Sequence, residues 1–391
     1  MLTAAEKIFV EEHKDDDVRA LALKMKEAAG FNPKYVLQQI AGIQAMRRKM
    51  PHWADNQDIV YPVHLSLEQC SSEMTANYKR SIIERLCGDV SDKMFADLTG
   101  GFGVDFSVMS IGFAKAFYVE RNNELCEIAM HNFKALGMKN YSAINGDGVD
   151  FLKNTNEKFG LVFIDPSRRN NAGGKTVHIQ DCEPNILDFQ EVLLQKTDIA
   201  IIKLSPMLDI SECLLRLKNI AEIHAVASDG ECKEILVVLT AEKHDEPQIF
   251  AVNNNHVFSF RRSDEQNCTP KIADDVAEGL FLYEPNAAIM KAAPYRLLTN
   301  RFNVKKIARN SHLYVSDGII EDFPGRGFRI VKVGGVKDFK SIDKANIAVR
   351  NFPIKADELR KQLKIKDGGD VYLFATTLYD GRKIMLETAR I

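Results

Sequence analysis

Between about residues 94 and 241 the chain alternates short apolar runs with amphipathic segments, and this alternation restricts the fold more than any other feature. The runs MFADLT, KAFYVE, YSAINGD, GLVFIDP, DIAIIKLSP, EIHAVAS and EILVVLT read as strands. Between the first five lie VDFSVMSIGF, NELCEIAMHNFKALG, a short GVDFLKN and PNILDFQEVLLQ, with apolar residues at helical spacing. Such alternation predicts a parallel sheet with helices on both faces. ISECLLRLKNI reads as a further helix. The last two strands are joined by DGECK, too short for a helical crossover, so the final pair is expected to be antiparallel.

The flanks differ from this block. Residues 1 to 89 read as a helical domain, with apolar periodicity in AEKIFVEEH, VRALALKMKEA and PKYVLQQIAGIQAM, a break at MRRKMPHWADN, and a resumption in SSEMTANYKRSIIERL behind a capping serine. The core is placed at 90–245. Beyond it come a hairpin pattern (QIFAVNNNHVFSFRR), a polar stretch, and a helix opened by proline in EPNAAIMKAAPYRLLTNR. Short strands and one more helix complete two small α+β domains, at 246–340 and 341–391, the first expected to be ferredoxin-like. The expected class is therefore α/β, with a Rossmann-like seven-stranded core, an N-terminal helical domain and small α+β C-terminal domains.

The first residues, MLTAAEKIFVEEHKDDD, carry charges where a signal peptide needs an apolar run, and no stretch of about 18 apolar residues follows. A cytoplasmic location and no membrane partner are expected. The seven cysteines stand singly, with no zinc-ligand spacing, so they read as reduced packing thiols and no metal is expected. The net charge of −2 hides an uneven distribution: Arg326 to Lys366 holds twelve Lys or Arg against four acids, and Pro285 to Ser316 holds six basic residues and no acid. These stretches suit contact with a phosphate backbone or a merely solvated face.

The segment DLTGGFGVD, Asp97 to Asp105, falls at a strand-to-helix turn, where glycines let a backbone approach a ligand. A dinucleotide turn needs G-x-G-x-x-G. Gly101 and Gly103 supply two glycines, but Phe106 stands at the third, so a cofactor without a pyrophosphate fits better than a dehydrogenase cofactor. Glu120 ends the second strand, where a carboxylate can accept from a ribose diol or simply be solvated. Asp147, after the third strand, can accept from an adenine amine or form an Asx turn. Asp165 ends the fourth, at the carboxyl edge where open α/β sheets bind ligands. Four polar strand ends in register are a stronger signal than any one alone.

Asp97-x-x-Gly-Gly-x-Gly103, Glu120, Asp147 and Asp165-Pro166, on successive strand ends with a closing antiparallel hairpin, resemble the class I S-adenosylmethionine-dependent methyltransferases over roughly 90 to 245. SLEQCSSEMTANYK, DPSRRNNAGGKTVHIQDCEP, YEPNAAIMKAAPYRL and RNFPIKADELRKQLKIKDGGDVYLFATTL extend a narrower likeness, to bacterial methyltransferases with a C-terminal THUMP-like domain, across nearly the whole chain. The resemblance implies S-adenosylmethionine as cofactor, held by Asp97, Thr99, Gly101, Gly103, Glu120, Arg121, Asp147, Gly148 and Asp165. It implies an RNA substrate too, since THUMP domains bind RNA, mostly in tRNA-modifying enzymes.

Methyl transfer is an in-line displacement, so the protein mainly positions the acceptor and adjusts its proton. Family members that methylate exocyclic base nitrogens end the fourth strand in Asp or Asn, Pro, Pro, aromatic. Here Asp165 and Pro166 are kept, Ser167 replaces the second proline and Arg168 the aromatic residue. Asp165, Pro166 and Arg168 are thus the expected catalytic set. Arg168, Arg169, Lys175 and Lys203 form the expected substrate-binding set, the arginines suiting a phosphate or an ion-pair set with Asp181, Glu183 or Asp188. Lys203 reads as an acceptor contact or a strand cap, and His178 as a base or a structural residue. Trp53 and Tyr61, near Arg47, Arg48 and Lys49, could stack on RNA or pack the helical domain onto the core. The expected function is methylation of a base in structured RNA such as tRNA. The alternatives are a protein or small-molecule methyltransferase, and a non-catalytic RNA-binding protein with a degenerate core.

Overall fold

The structure is a computed structural model that describes residues 2–25, 32–168 and 178–391. The chain forms two compact units, residues 1–221 with 236–244, and residues 222–235 with 245–391.

In the first unit, helices Ala4–His13, Val18–Lys24, Pro33–Lys49, Pro51–Ala54, His64–Gln69 and Glu73–Cys87 precede the sheet. Their starts follow local chemistry: Thr3 and Glu6 form a reciprocal capping box, and the Ser72 hydroxyl accepts from the Thr75 N–H. The strands are β1 (Met94–Asp97), β2 (Lys115–Glu120), β3 (Tyr141–Asn145), β4 (Phe159–Ile164), β5 (Thr197–Leu204), β6 (Ile220–Ser228) and β7 (Glu231–Thr240). All seven runs read as strands are strands. Within this unit they lie in the order β3-β2-β1-β4-β5-β7, and β1 to β5 are parallel wherever they neighbour. Helices Val104–Met109, Asn123–Ala135, Gly148–Asn154, Gln190–Lys196 and Ile210–Arg216 lie in the connections. Order reversal falls between β1 and β4, so the carboxyl ends of β1, β2 and β4 converge where such sheets bind ligands.

Trp53 is only 1% exposed, meets the Phe102 ring edge-on at 5.0 Å, and its carbonyl accepts from the Tyr61 hydroxyl at 3.1 Å. These two aromatics therefore pack against the glycine turn and offer no stacking surface. Lys49 donates to the carbonyls of Leu67 and Cys70, and Arg47 pairs with Asp15. All seven cysteines are free thiols.

The second unit holds the outer parts of β6 and β7, which turn at Asp229 (φ +52°) and Gly230 (φ +79°). Positive φ at both central residues is the tight hairpin turn whose twist matches antiparallel strands. β8 (Gln248–Asn253) runs parallel to β6 and pairs with antiparallel β9 (His256–Arg261), so this hairpin extends a sheet edge that would otherwise expose unpaired backbone. A second sheet contains β10 (Phe281–Pro285), β11 (Tyr314–Ser316), β12 (Gly325–Gly334), β13 (Lys344–Arg350), β14 (Lys366–Thr377) and β15 (Lys383–Arg390), in the order β11-β10-β12-β15-β14-β13. Helix Ala356–Leu363 makes the crossover between parallel β13 and β14. Successive residues of β14 face opposite cores, Leu373 and Ala375 packing with Leu359 and Met385, and Phe374 with Leu282 and Phe328.

Glu284, at the end of β10, is buried and pairs with Arg326 of β12 and with Arg350 of β13, the latter at 2.5 Å. Removing the carboxylate leaves two guanidiniums without their shared partner. Glu284→Ala is expected to destabilise the second unit by about 1–3 kcal/mol, the arginines being half exposed, as a lowered denaturant midpoint would show.

Candidate cofactor and acceptor site

The site is assembled at the ends of β1, β2 and β4. The β1–helix turn runs Leu98 to Gly103, and Gly103 takes φ +87° as the residue before helix Val104–Met109. A Cβ there would lie 2.7 Å from the Phe133 ring. That ring is packed between Phe106, Tyr118 and Tyr141 and has no direction in which to retreat. Gly103→Ala is therefore expected to cost about 2–4 kcal/mol, from left-handed strain plus overpacking, read as a fall in the denaturant midpoint. Phe106 lies in the same aromatic cluster, so the position where a dinucleotide turn needs its third glycine is filled by a buried ring.

Glu120 is 9% exposed at the end of β2 and faces the turn. Its Oε2 accepts from the Gly101 N–H at 2.7 Å and its Oε1 from the Asn122 N–H at 2.8 Å. Each carboxylate oxygen can accept a second hydrogen bond, so two acceptor positions remain for a diol. The Tyr118 hydroxyl donates to the Gly101 carbonyl at 2.5 Å and fixes the turn from below.

Asp97 is 1% exposed, and its Oδ1 accepts from the Thr99 N–H at 3.0 Å. Burial, with Asp105, Asp165 and Glu120 nearby, raises its carboxyl well above the usual range. The Thr99 hydroxyl oxygen accepts from the Asp165 N–H at 2.6 Å, which ties the β1 turn to the end of β4. The Asp165 carboxylate accepts from Lys203 Nζ of β5 at 2.6 Å. Two residues chosen separately from the sequence therefore form one ion pair at the β4 edge.

Asp147 caps helix Gly148–Asn154, its Oδ1 accepting from the Val149 and Asp150 N–H groups at 2.8 and 3.1 Å. Gly148 is needed for close approach, since a Cβ would lie 2.0 Å from the Leu98 carbonyl oxygen. Arg121 is turned to Glu183, with which it pairs at 2.7 Å. Pro166 is buried, and after it Ser167 and Arg168 pair antiparallel with Glu183 and Cys182. The Arg168 side chain, Arg169 and Lys175 lie outside the described residues. His178 faces Glu212 at 3.1 Å. Among the described residues no group of His, Cys, Asp and Glu is placed to hold a metal ion, and no helix is long and apolar enough to cross a membrane.

The sequence reading missed Ser71, Lys79 and Asp105. Lys79 is fully buried on helix Glu73–Cys87, 3.2 Å from Asp105 Oδ1, and the Ser71 hydroxyl donates to Asp105 Oδ2 at 2.7 Å. Burial alone would raise the Asp105 carboxyl, but Lys79 and then Lys203 hold it below the usual range.

Residues 281–324 match a ferredoxin-like domain family and residues 325–390 a THUMP domain-like family. A crystal structure from Porphyromonas gingivalis W83, described as a candidate methyltransferase, superposes with a TM-score of 0.86 at 29% identity, covering 99% of this chain and 97% of that one. The chain is a class I methyltransferase-fold protein with a C-terminal THUMP-like domain. Weaker likenesses cover less of the chain. A candidate methyltransferase of Streptococcus mutans, in complex with S-adenosylhomocysteine, has a TM-score of 0.32 at 12% identity, over 41% of this chain and 94% of that one. An rRNA methylase of Streptococcus thermophilus has 0.33 at 12%, over 42% and 94%. No curated protein matches the chain. In the methyltransferase fold found here, the strand order β3-β2-β1-β4-β5-β7 places Glu120 beside the glycine turn and Asp165 across it.

Proposed function

We propose that the protein is an S-adenosylmethionine-dependent methyltransferase that modifies a base in structured RNA such as tRNA. The observation that carries this reading is the Glu120 carboxylate, buried at the end of β2 and bonded to the Gly101 N–H at 2.7 Å, with Asp165 at the neighbouring edge. Glu120 would hold the ribose hydroxyls, the Asp97–Gly103 turn the methionine end, and Asp147 and Gly148 the adenine side, with Arg121 at the rim. When bound, the cofactor supplies an electrophilic methyl group. Asp165 would accept a hydrogen bond from the acceptor and orient its lone pair, and Pro166 would hold the chain at the β4 edge. Lys203 keeps the carboxylate in place. Arg168, Arg169 and Lys175 would meet a phosphate of the substrate.

The THUMP-like domain supports the RNA half of the reading, as does the basic excess from Arg326 to Lys366, and the P. gingivalis likeness supports the methyltransferase half. Affinity for tRNA is expected to fall about 10³-fold or more between 50 and 200 mM salt if six or more phosphates are contacted. A filter-binding salt series checks this, and a flat response would remove the phosphate-contact argument. The function itself is tested by incubation with methyl-tritiated cofactor and either total RNA or total protein. Label in RNA supports the reading. Label in protein alone favours a protein methyltransferase, and cofactor binding without any label favours a non-catalytic RNA-binding protein.

A further inference from the structure

Four charges alternate in sign behind the β4 edge. Lys79 Nζ stands 3.2 Å from Asp105 Oδ1, Asp105 Oδ2 stands 3.7 Å from Lys203 Nζ, and Lys203 donates to Asp165 Oδ2 at 2.6 Å. Ser71 joins the first two, its hydroxyl donating to Asp105 Oδ2 at 2.7 Å and accepting from Lys79 Nζ at 3.1 Å. Ser71 and Lys79 both belong to the segment SLEQCSSEMTANYK, and neither reaches the surface where a cofactor or acceptor would sit.

A lysine with 0% exposure is costly, and apolar residues of similar volume commonly replace such pairs without loss of stability. Stability alone therefore gives a weak reason for this one. Its geometry gives a better reason. Asp105 lies between two cations, nearer to Lys79 than to Lys203. If Lys79 were absent, Asp105 would compete for Lys203, and the ammonium would be drawn from the Asp165 carboxylate into the interior. Asp97, Asp105, Asp165 and Glu120 are carboxylates that share this region, and Lys79 and Lys203 are the cations set among them.

We infer that Lys79, braced by Ser71, is a positioning residue for the acceptor edge: by neutralising Asp105 it leaves Lys203 to Asp165 and fixes the carboxylate that meets the acceptor. This rests on the function proposed above. The N-terminal helical segment thereby completes the site chemically, as well as packing against the glycine turn.

The test compares Lys79→Met, Lys203→Met and the double variant in three measurements: calorimetric affinity for S-adenosylhomocysteine, label transfer from tritiated cofactor to total RNA, and thermal midpoint. Lys79→Met is expected to keep cofactor affinity within about twofold while transfer falls about 10–100-fold. The double variant should transfer no more slowly than Lys203→Met, because both act through one carboxylate. Lys79→Arg should restore most of the rate. Ser71→Ala changes no charge, covers the case in which Lys79→Met does not fold, and should lower transfer by about 3–10-fold. Losses that multiply in the double variant, or an equal fall in cofactor affinity, would overturn the inference. A wild-type protein that binds no cofactor, or labels no RNA, counts against the proposed function instead. The midpoints then decide the inference: a double-variant shift smaller than the sum of the singles by about 2 °C or more supports the charge chain, and additive shifts overturn it.

Discussion

Glu120→Ala is expected to weaken binding of S-adenosylmethionine by about 1.5–3 kcal/mol, roughly 10–150-fold in Kd. The size follows from what the side chain does at the end of β2. Its two oxygens are held by the Gly101 and Asn122 N–H groups at 2.7 and 2.8 Å, so the carboxylate is oriented before any ligand arrives. An oriented, buried carboxylate gives charge-assisted hydrogen bonds to a diol without loss of side-chain freedom on binding. Alanine removes those acceptors and also leaves the Gly101 N–H without its partner, which loosens the turn. Glu120→Gln keeps one carbonyl oxygen and should fall between the two. Calorimetric titration measures all three, and an alanine variant with wild-type affinity would remove Glu120 from the site.

The second large effect is expected at Asp165. Asp165→Ala should lower methyl transfer by about 100-fold or more while changing cofactor affinity far less, because the lost group is the one proposed to meet the acceptor. Asp165→Asn keeps an acceptor oxygen but loses the ion pair with Lys203 at 2.6 Å that holds the side chain in place. It is expected to lose nearly as much as alanine. Initial rates at saturating cofactor check this. A fully active asparagine variant would mean that the carboxylate charge, and with it Lys203, plays no part in the transfer.

Much of this arrangement was legible because it depends on local patterns. Strand ends follow from apolar runs stopped by Asp97, Glu120, Asn145 and Asp165, and a parallel sheet brings such ends to one edge. The hairpin at Asp229-Gly230 follows from a turn too short for a crossover. Phe106 in place of a third glycine was informative for the same reason, since it bears on how closely one helix can meet one strand. Other features depend on pairings distant in sequence. Lys79 reads as one more polar residue of an amphipathic helix, and only the packing of that helix beside Val104–Met109 brings it to Asp105. Asp105 reads only as the end of the glycine segment, and its burial against Lys79 and Ser71 depends on residues some thirty positions away. Trp53 and Tyr61 could be read as packing or as a stacking surface until the Phe102 ring was located against them. The β8–β9 hairpin was visible as a hairpin, but no local signal says which edge it joins.

The turn from Asp97 to Gly103, with Glu120, is the proposed site for S-adenosylmethionine. Calorimetric titration of the full chain with S-adenosylhomocysteine, and separately with NADH, tests it most directly. One S-adenosylhomocysteine is expected to bind per chain with a Kd of roughly 1–100 μM, about −8 to −5 kcal/mol, with no binding of NADH. Binding of NADH, or of neither compound, would contradict it.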